Sequence, residues 1–110
     1  MFDWYQPEGL ERCPSCDQPL DGWQGKDGPC ILYVYRQAHR FPVESRVDAD
    51  SRADDVAFDD ADLLPPVFGI YTSCANDHWI DAQGYCDQFR VWNRSELVAT
   101  RAVRPRRSGR

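Results

Sequence analysis

Two pairs of metal-ligand side chains, separated by 57 residues, constrain this 110-residue chain more than any other feature. The first pair, Cys13 and Cys16, lies in "CPSC", and the second pair, Cys74 and His78, lies in "CANDH". Three thiolates and one imidazole match the number and type of ligands that tetrahedral zinc takes in a closed structural site. Because turn-forming residues surround both pairs, we predict two loops between strands that hold one structural zinc ion (Zn2+) with these four side chains.

The motifs "CPSC" and "CANDH" resemble those of the zinc-ribbon class, in which two ligand pairs on β-hairpins bind one ion. The resemblance covers roughly a third of the chain. It implies a structural metal and a β-rich fold, whereas the functions of ribbon proteins are too varied to transfer. The second pair has three residues between its ligands instead of two, and the 57-residue separation exceeds what a simple ribbon needs. The intervening segment is therefore expected to fold around or beside the site.

Two further cysteines lie outside the predicted ligand set. Cys30 opens an apolar run, and we interpret it as a small buried hydrophobic residue. Cys86 is expected about 10 Å from the site, because a strand that begins at His78 leads away at about 3.3 Å per residue. A ligand set with Cys86 in place of His78 stays open as an alternative. An odd number of cysteines in a reducing compartment favours metal ligation and buried thiols over disulfides.

The remaining sequence predicts a mainly β fold, with zinc-ribbon-like antiparallel strands and one or two short helices. "CILYVYR" (residues 30–36) is typical of a strand that is buried on both faces, and a hairpin near residues 20–24 leads into it. Residues 67–92 predict a three-stranded meander with a tight turn at Gln83-Gly84. Its first strand has Phe68, Ile70 and Thr72 on one face.

Helix signals are weak, and the tryptophans favour a core role. A helix is predicted over residues 95–103, capped by Ser95, and a second helix is predicted in the acidic segment, capped through Ser51 and Asp54. We interpret the four tryptophans as core residues that compensate for the small size of the domain. They are Trp4, Trp23, Trp79 and Trp92.

Length and charge predict a single zinc-stapled domain over residues 1–103, with an acidic insert at 44–64 and a disordered basic tail at 104–110. The insert has eight acidic and two basic residues, and residues 94–110 have six arginines and one glutamate. No apolar run approaches the roughly 20 residues that span a bilayer, and the first residues are unlike a secretion signal. We therefore expect a cytoplasmic protein, and the arginine-rich basic composition suggests a bacterial source.

These features favour binding over catalysis. Four good ligands close the zinc site, and no nucleophile, phosphate loop or known catalytic zinc motif is evident. The acidic insert suggests a partner protein with a basic surface, as for small immunity proteins that inhibit nuclease-like toxins. The predicted partner-binding residues are Asp54, Asp55, Asp59 and Asp60.

Two alternative functions remain open. A zinc ribbon that binds nucleic acid through the arginine-rich tail is disfavoured by the net charge of −5. A zinc-dependent or thiol redox enzyme is also disfavoured. In the redox case, Pro19 and Gly22 follow "CPSC" where an oxidoreductase has a long helix. Oligomeric state and partner identity are not predicted.

Overall fold

A computed structural model describes residues 1–46 and 58–102, which form one seven-stranded mixed sheet. In chain order the strands are β1 (Asp3–Gln6), β2 (Trp23–Gly25), β3 (Tyr33–Arg36), β4 (Glu44–Ser45), β5 (Val67–Ser73), β6 (His78–Cys86) and β7 (Trp92–Ala102). Within the described residues, the helical structure is a 3-10 turn at Asp60–Asp62. The predicted mainly β class is confirmed.

The order of strands across the sheet is β4-β3-β1-β2-β5-β6-β7. The pair β1 and β3 is parallel, and the other neighbouring pairs are antiparallel. The sheet is therefore open and mixed. A meander of three strands is present as β5, β6 and β7, and it forms the most extensive pairing among the described residues, but its third strand lies at Trp92–Ala102 and not before Trp92 as predicted.

Aromatic side chains from distant strands fill the core on one face of the sheet. The Tyr5 ring stacks on Tyr35 and on Phe68, with 5.5 Å between ring centroids in each pair. Trp92, which is fully buried, meets the Phe68 ring edge-on at 5.2 Å. On β5 the predicted face is confirmed, because Phe68, Ile70 and Thr72 are buried. Stacked and edge-on rings at these separations stabilise a core beyond the area that they bury.

A buried carboxylate on β1, which the sequence did not indicate, organises the chain before β3. Asp3 has no exposed surface, and it accepts hydrogen bonds from the backbone N–H groups of Cys30 (2.8 Å), Ile31 (3.0 Å) and Tyr33 (3.1 Å). Cys30 and Leu32 have φ values of 63° and 64°, in the left-handed region. We call Asp3 and these three N–H groups the Asp3 centre.

The strand predicted at residues 30–36 is shorter in the structure. The hairpin predicted at residues 20–24 does not pair with that strand. The strand begins at Tyr33, because the left-handed backbone at Cys30 and Leu32 is incompatible with a strand. Cys30 lies in the preceding loop and is half-buried. Within its short range, β3 is buried on both faces as predicted. β2 pairs with β1 and β5, so that β1 lies between β2 and β3.

The predicted turn at Gln83-Gly84 is wrong, because β6 continues through both residues to Cys86. Gly84 pairs with Phe68 on β5, and a Cβ atom at position 84 would collide with the Phe68 ring. The glycine therefore makes room for a core aromatic ring. The chain turns later, where the Asp87 carboxylate accepts hydrogen bonds from the N–H groups of Phe89 (2.9 Å) and Val91 (3.0 Å).

The predicted helix at residues 95–103 is also wrong, because β7 occupies Trp92–Ala102. Pairing along β6 satisfies the backbone of this segment and overrides its helix propensity. The Ser95 hydroxyl caps no helix. It donates to the Gln37 side chain at 2.7 Å and accepts from the Trp92 indole at 2.9 Å. The helix predicted from Ser51 and Asp54 lies outside the described residues.

Candidate metal centre

The first ligand pair lies in a compact turn before β2. Residues on both sides of the turn form an isolated bridge between Arg12 and Pro19. Inside that bridge, the Cys13 N–H donates to the Gln18 carbonyl (2.8 Å) and the Asp17 N–H donates to the Cys13 carbonyl (2.9 Å). Asp17 closes the turn with a φ of 63°, a conformation that Asp tolerates better than most residues. The backbone thus folds Cys16 back toward Cys13.

The second ligand pair lies in the turn that joins β5 to β6. The Cys74 N–H donates to the His78 carbonyl (3.0 Å), and the Asp77 N–H donates to the Cys74 carbonyl (3.1 Å). Asp77 has a φ of 62°, so this turn also closes with a left-handed aspartate. The Asn76 N–H points at the Cys74 sulfur, with 3.3 Å between nitrogen and Sγ. The two turns therefore follow one plan, and the second is one residue shorter.

The sheet places the two turns side by side. β2, which follows the first turn, pairs with β5, which precedes the second turn, through Gln24 and Tyr71. The Thr72 hydroxyl donates to the Gly22 carbonyl at 3.2 Å and joins the same two segments nearer the turns. The long separation between the two ligand pairs in sequence is thus closed by one strand pairing.

The structure brings the four predicted ligands together. The cysteine–histidine cluster, as we call it, consists of Cys13, Cys16, Cys74 and His78, and one ligand atom from each lies within 4.8 Å of every other. All three cysteines are free thiols, and Cys13 and Cys74 are buried. A Cys3His set of this kind can hold a metal ion, and zinc is the metal that such a set most commonly binds.

Three of the ligand separations in the cluster are close to those of a tetrahedral ion. With Zn–S bonds of about 2.3 Å and Zn–N bonds of about 2.0 Å, ligand atoms lie about 3.8 Å apart for two sulfurs and about 3.6 Å apart for sulfur and nitrogen. In the cluster, the Cys16 and Cys74 sulfurs are 3.6 Å apart. His78 Nδ1 lies 3.7 Å from the Cys13 sulfur and 3.3 Å from the Cys74 sulfur. These three distances are each within about 0.3 Å of the separations in a tetrahedral site.

Local electrostatics favour thiolates at two positions. A backbone N–H of Gln18 donates to the Cys16 sulfur, and this interaction is the main reason that the pKa of Cys16 is lowered to about 6. Burial opposes ionisation of Cys74, but the His78 N–H and a second backbone N–H of the same turn outweigh it, and the pKa is lowered. Burial raises the pKa of Cys13. Thiolates are the form of cysteine that binds metals.

Cys86 does not belong to the cluster. It ends β6 while His78 begins it, and eight residues of strand correspond to about 27 Å at about 3.4 Å per residue. The expected offset of about 10 Å was too small, because it assumed a turn at Gly84 that is absent. The alternative set with Cys86 in place of His78 is therefore incompatible with this fold. Cys30 is also outside the cluster, and its thiol donates to the Lys26 carbonyl at 3.2 Å.

Of the four aspartates predicted to bind a partner, two lie in the described part of the chain. Asp59 and Asp60 are exposed at the 3-10 turn. The Asp59 carboxylate accepts from the Ala61 N–H at 2.9 Å, and the Asp62 carboxylate accepts in return from the Asp59 N–H at 2.9 Å. Asp59 therefore caps this turn. Asp54 and Asp55 lie outside the described residues.

The four tryptophans divide between the two faces of the sheet. Trp23 and Trp92 are buried, as the core interpretation predicts. Trp4 and Trp79 are only half-buried, and their strands carry them to the face opposite the core. The division follows the alternation of side chains along a strand. Trp4 is half-buried between two buried residues of β1, whereas Trp23 is buried next to a half-buried residue of β2.

Comparisons of the chain with protein families, with curated proteins and with solved structures find no match. The zinc-ribbon resemblance therefore extends to the ligand motifs and the β-rich class, without support from a family or a fold match. Within the part of the chain that the structure describes, no helix has the length and apolar character needed to span a membrane.

Proposed function

We propose that this chain is a small zinc-binding protein in which the ion is structural, and that the domain acts by binding a partner protein with a basic surface. The observation that carries the zinc assignment is the convergence of three sulfurs and one imidazole nitrogen within 4.8 Å. Such a set supplies all four ligands of tetrahedral zinc. A catalytic zinc keeps one position open for water or substrate, so a four-residue set favours a structural role.

A structural ion also suits the architecture around it. The two turns of the cluster are short, and their exposed polar residues include Ser15, Asp17 and Asn76. A bound zinc ion contributes apparent free energies of roughly 10 to 16 kcal/mol in zinc-finger peptides, which is comparable to the whole stability of a small domain. We therefore expect zinc ligation, and not hydrophobic packing, to stabilise these turns.

The binding role is supported by charge. The net charge of −5 is concentrated in the acidic insert, and an acidic surface on a rigid scaffold speeds association with a basic partner. Asp60 is exposed and makes no ion pair with any described residue, so its charge is available. The basic substrate groove of a nuclease-like enzyme is one surface of the required kind.

Metal content tests the first part of the proposal. Native mass spectrometry of protein purified under reducing conditions should show one zinc ion per chain. Cys13→Ser should lose the ion, whereas Cys86→Ser, the matched control on the opposite end of β6, should keep it. Folded wild-type protein without metal, or loss of zinc in both variants, would contradict the assignment.

A capture experiment tests the second part. The full chain is immobilised with zinc bound, and the proteins that it retains are compared with those retained by a variant in which Asp54, Asp55 and Asp60 are Asn. Asp59 is left in place because it caps the 3-10 turn. A basic partner should be lost from this variant and retained by the corresponding Glu variant, and capture should weaken as salt increases. Equal capture by the Asn and Glu variants would refute the role of the acidic insert.

A further inference from the structure

The face of the sheet opposite the core carries a cleft between two aromatic side chains. Trp4 on β1 pairs with Gln24 on β2, and Gln24 pairs with Tyr71 on β5. Residues paired across neighbouring strands point to the same face, so the three side chains form a row across the sheet. The cavity at this row has a volume of about 340 Å³. The aromatic cleft, as we call it, is lined chiefly by Trp4, Asp21, Gly22, Gln24, Tyr71 and Trp79.

One wall of the aromatic cleft is held rigidly. The rings of Tyr71 and Trp79 are stacked, with 5.1 Å between centroids and 14° between planes. The Trp79 indole N–H donates to the Asp81 carboxylate at 2.9 Å, and the Arg101 guanidinium donates to the other oxygen of that carboxylate at 2.7 Å. This wall is therefore preorganised, and a ligand that stacks on it loses little conformational entropy of the protein.

Aromatic rings on this face already hold guanidinium groups of the same chain. Arg46 lies over the Trp4 ring with 5.2 Å to the centroid, and Arg101 lies over the Trp79 ring at 5.6 Å. Further along the face, Arg94 lies over the Tyr85 ring at 4.1 Å. Tyr71 has no such cation among the described residues, although it lines the cleft between Trp4 and Trp79. Three rings on this face therefore stack with a guanidinium group of the chain, and the Tyr71 ring is left for a guanidinium group from elsewhere.

The charge of the cleft suits a cation. Asp21 is its single carboxylate, and no basic side chain lines it. Asp21 is exposed and makes no hydrogen bond or ion pair to any described residue, so that this carboxylate is available to a ligand. The adjoining cavity, which shares Tyr71 and Trp79, differs because Lys26 lines it beside acidic groups. A phosphate-bearing ligand would meet a carboxylate and no cation in the aromatic cleft.

The spacing of the strands suits a planar group. Trp4 and Tyr71 lie on strands that are separated by β2, so their backbones are about 9.6 Å apart at about 4.8 Å per strand. A flat group that contacts a ring on each side at about 3.5 to 4.0 Å needs about 7 to 8 Å between the rings. Gln24 lies on β2 between the two rings, so a guanidinium plane that enters this span lies over the Gln24 side chain, where the Gln24 amide oxygen and the Asp21 carboxylate can accept its N–H donors.

We propose that the aromatic cleft binds an arginine side chain presented by a partner protein, stacked against Tyr71 and paired with Asp21. This inference rests on the proposed function, since it names a group on the basic partner and the place where it binds. Arginine is favoured over lysine because its planar group stacks on aromatic rings and donates two hydrogen bonds to one carboxylate.

The test is a titration of the full-length, zinc-loaded protein with an acetylated and amidated Gly-Arg-Gly tripeptide at low salt. The indole N–H signals of the four tryptophans in an NMR spectrum are the readout. Trp4 and Trp79 should shift, whereas Trp23 and Trp92, which are buried, should not. The same peptide with citrulline, which is planar and uncharged, should bind at least about fivefold more weakly, and so should the lysine peptide.

Matched variants locate the site. Asp21→Asn should weaken binding of the arginine peptide about threefold to tenfold, whereas Glu8→Gln, the same charge change at an exposed residue outside the cleft, should not. Tyr71→Leu should weaken binding about tenfold, and Tyr85→Leu, on the same face but outside the cleft, should leave it unchanged.

Three results would overturn the proposal. Equal binding of the citrulline peptide would assign the cleft to uncharged planar ligands. Shifts confined to residues outside the cleft would place the arginine elsewhere. A shift of the Trp4 signal on deletion of residues 104–110, without added peptide, would assign the cleft to an arginine of this chain. The variant with Asn at 54, 55 and 60 should still bind the tripeptide, so failure of the acidic-insert proposal is distinguishable from failure of this one.

Discussion

The cysteine–histidine cluster and the Asp3 centre both connect segments that are distant in sequence, but they satisfy their polar groups differently. The Asp3 carboxylate accepts three backbone N–H groups, so its charge and its donors are paired within the chain. The cluster places three sulfurs and one imidazole within 4.8 Å, and these groups need a cation between them if the thiols ionise. One centre is complete within the folded chain, and the other has four ligands that an ion would complete.

The backbone differs in the same way. The two turns of the cluster close with left-handed Asp17 and Asp77, a residue type that tolerates this conformation. The loop at the Asp3 centre instead places Cys30 and Leu32 in the left-handed region, where such side chains are strained. Hydrogen bonds to Asp3 offset that strain, whereas the turns of the cluster have little strain and, under the proposed function, depend on a bound metal for their stability. Stability should therefore depend on metal at one centre and on a single side chain at the other.

Removal of the metal should have the largest effect. With an excess of chelator, the free energy of unfolding should fall by on the order of 5 kcal/mol or more, because structural zinc contributes energy on the scale of the whole domain stability. Hydrogen exchange should show protection lost first at residues 13–18 and 74–78, and later at the Tyr33 N–H that Asp3 binds. Protein that has lost its metal and unfolds at the same denaturant concentration as before would contradict this.

Asp3→Ala should have the next largest effect, at about 3 to 5 kcal/mol, because three backbone N–H groups, of which that of Tyr33 is buried, lose their acceptor. Chemical denaturation measures the loss, and Asp21→Ala, an exposed aspartate without a described partner, should change stability by less than about 0.5 kcal/mol. Zinc content of the folded Asp3→Ala protein should remain one ion per chain. Loss of zinc would mean that the two centres are coupled through β1 and β2.

The cluster was predictable from sequence, and the Asp3 centre was not. Ligand pairs at short spacing within turn-forming residues are local patterns, and only their meeting required the fold. Asp3 lies between aromatic residues near the start of the chain, where an acidic residue gives no sign that it is buried. Its burial depends on donors nearly thirty residues away, which no local pattern contains.

The same limit explains the errors in the meander. The residues around Gly84 predict a turn. In the structure Gly84 instead makes room for the ring of Phe68, sixteen positions earlier in the chain. Residues 95–103 have acceptable helix propensity, and β6 recruits them as a strand partner. Burial patterns within one strand, such as Phe68 and Ile70 on β5, were predictable because they depend on a period of two alone.

Gly84→Ala tests the packing of β6 on β5 away from both centres, at the pair of Gly84 with Phe68. The added methyl group collides with the Phe68 ring, so we expect a loss of about 1 to 3 kcal/mol in the free energy of unfolding. Gly69→Ala is the matched control on β5, since its nearest atom would be the Asp27 carboxylate at 3.8 Å. It should change stability by less than about 1 kcal/mol. Equal losses in the two variants would mean that strand propensity, and not packing, decides the effect.

The smallest effect is expected at Asp17, which tests whether the turns of the cluster are relaxed. Asp17→Gly removes a side chain from a left-handed position and should change the free energy of unfolding by less than about 1 kcal/mol, since relief of strain and greater freedom of the unfolded chain oppose each other. Asp17→Val should cost about 1 to 2 kcal/mol more, because a β-branched residue is strongly disfavoured at positive φ. Both measurements are made with zinc bound and repeated with chelator. If the difference in free energy of unfolding between the Gly and Val variants persists when the metal is removed, the turn keeps its shape without the ion. If the difference disappears, the ion imposes the conformation of the turn, and the cluster differs further from the Asp3 centre, which needs no ligand.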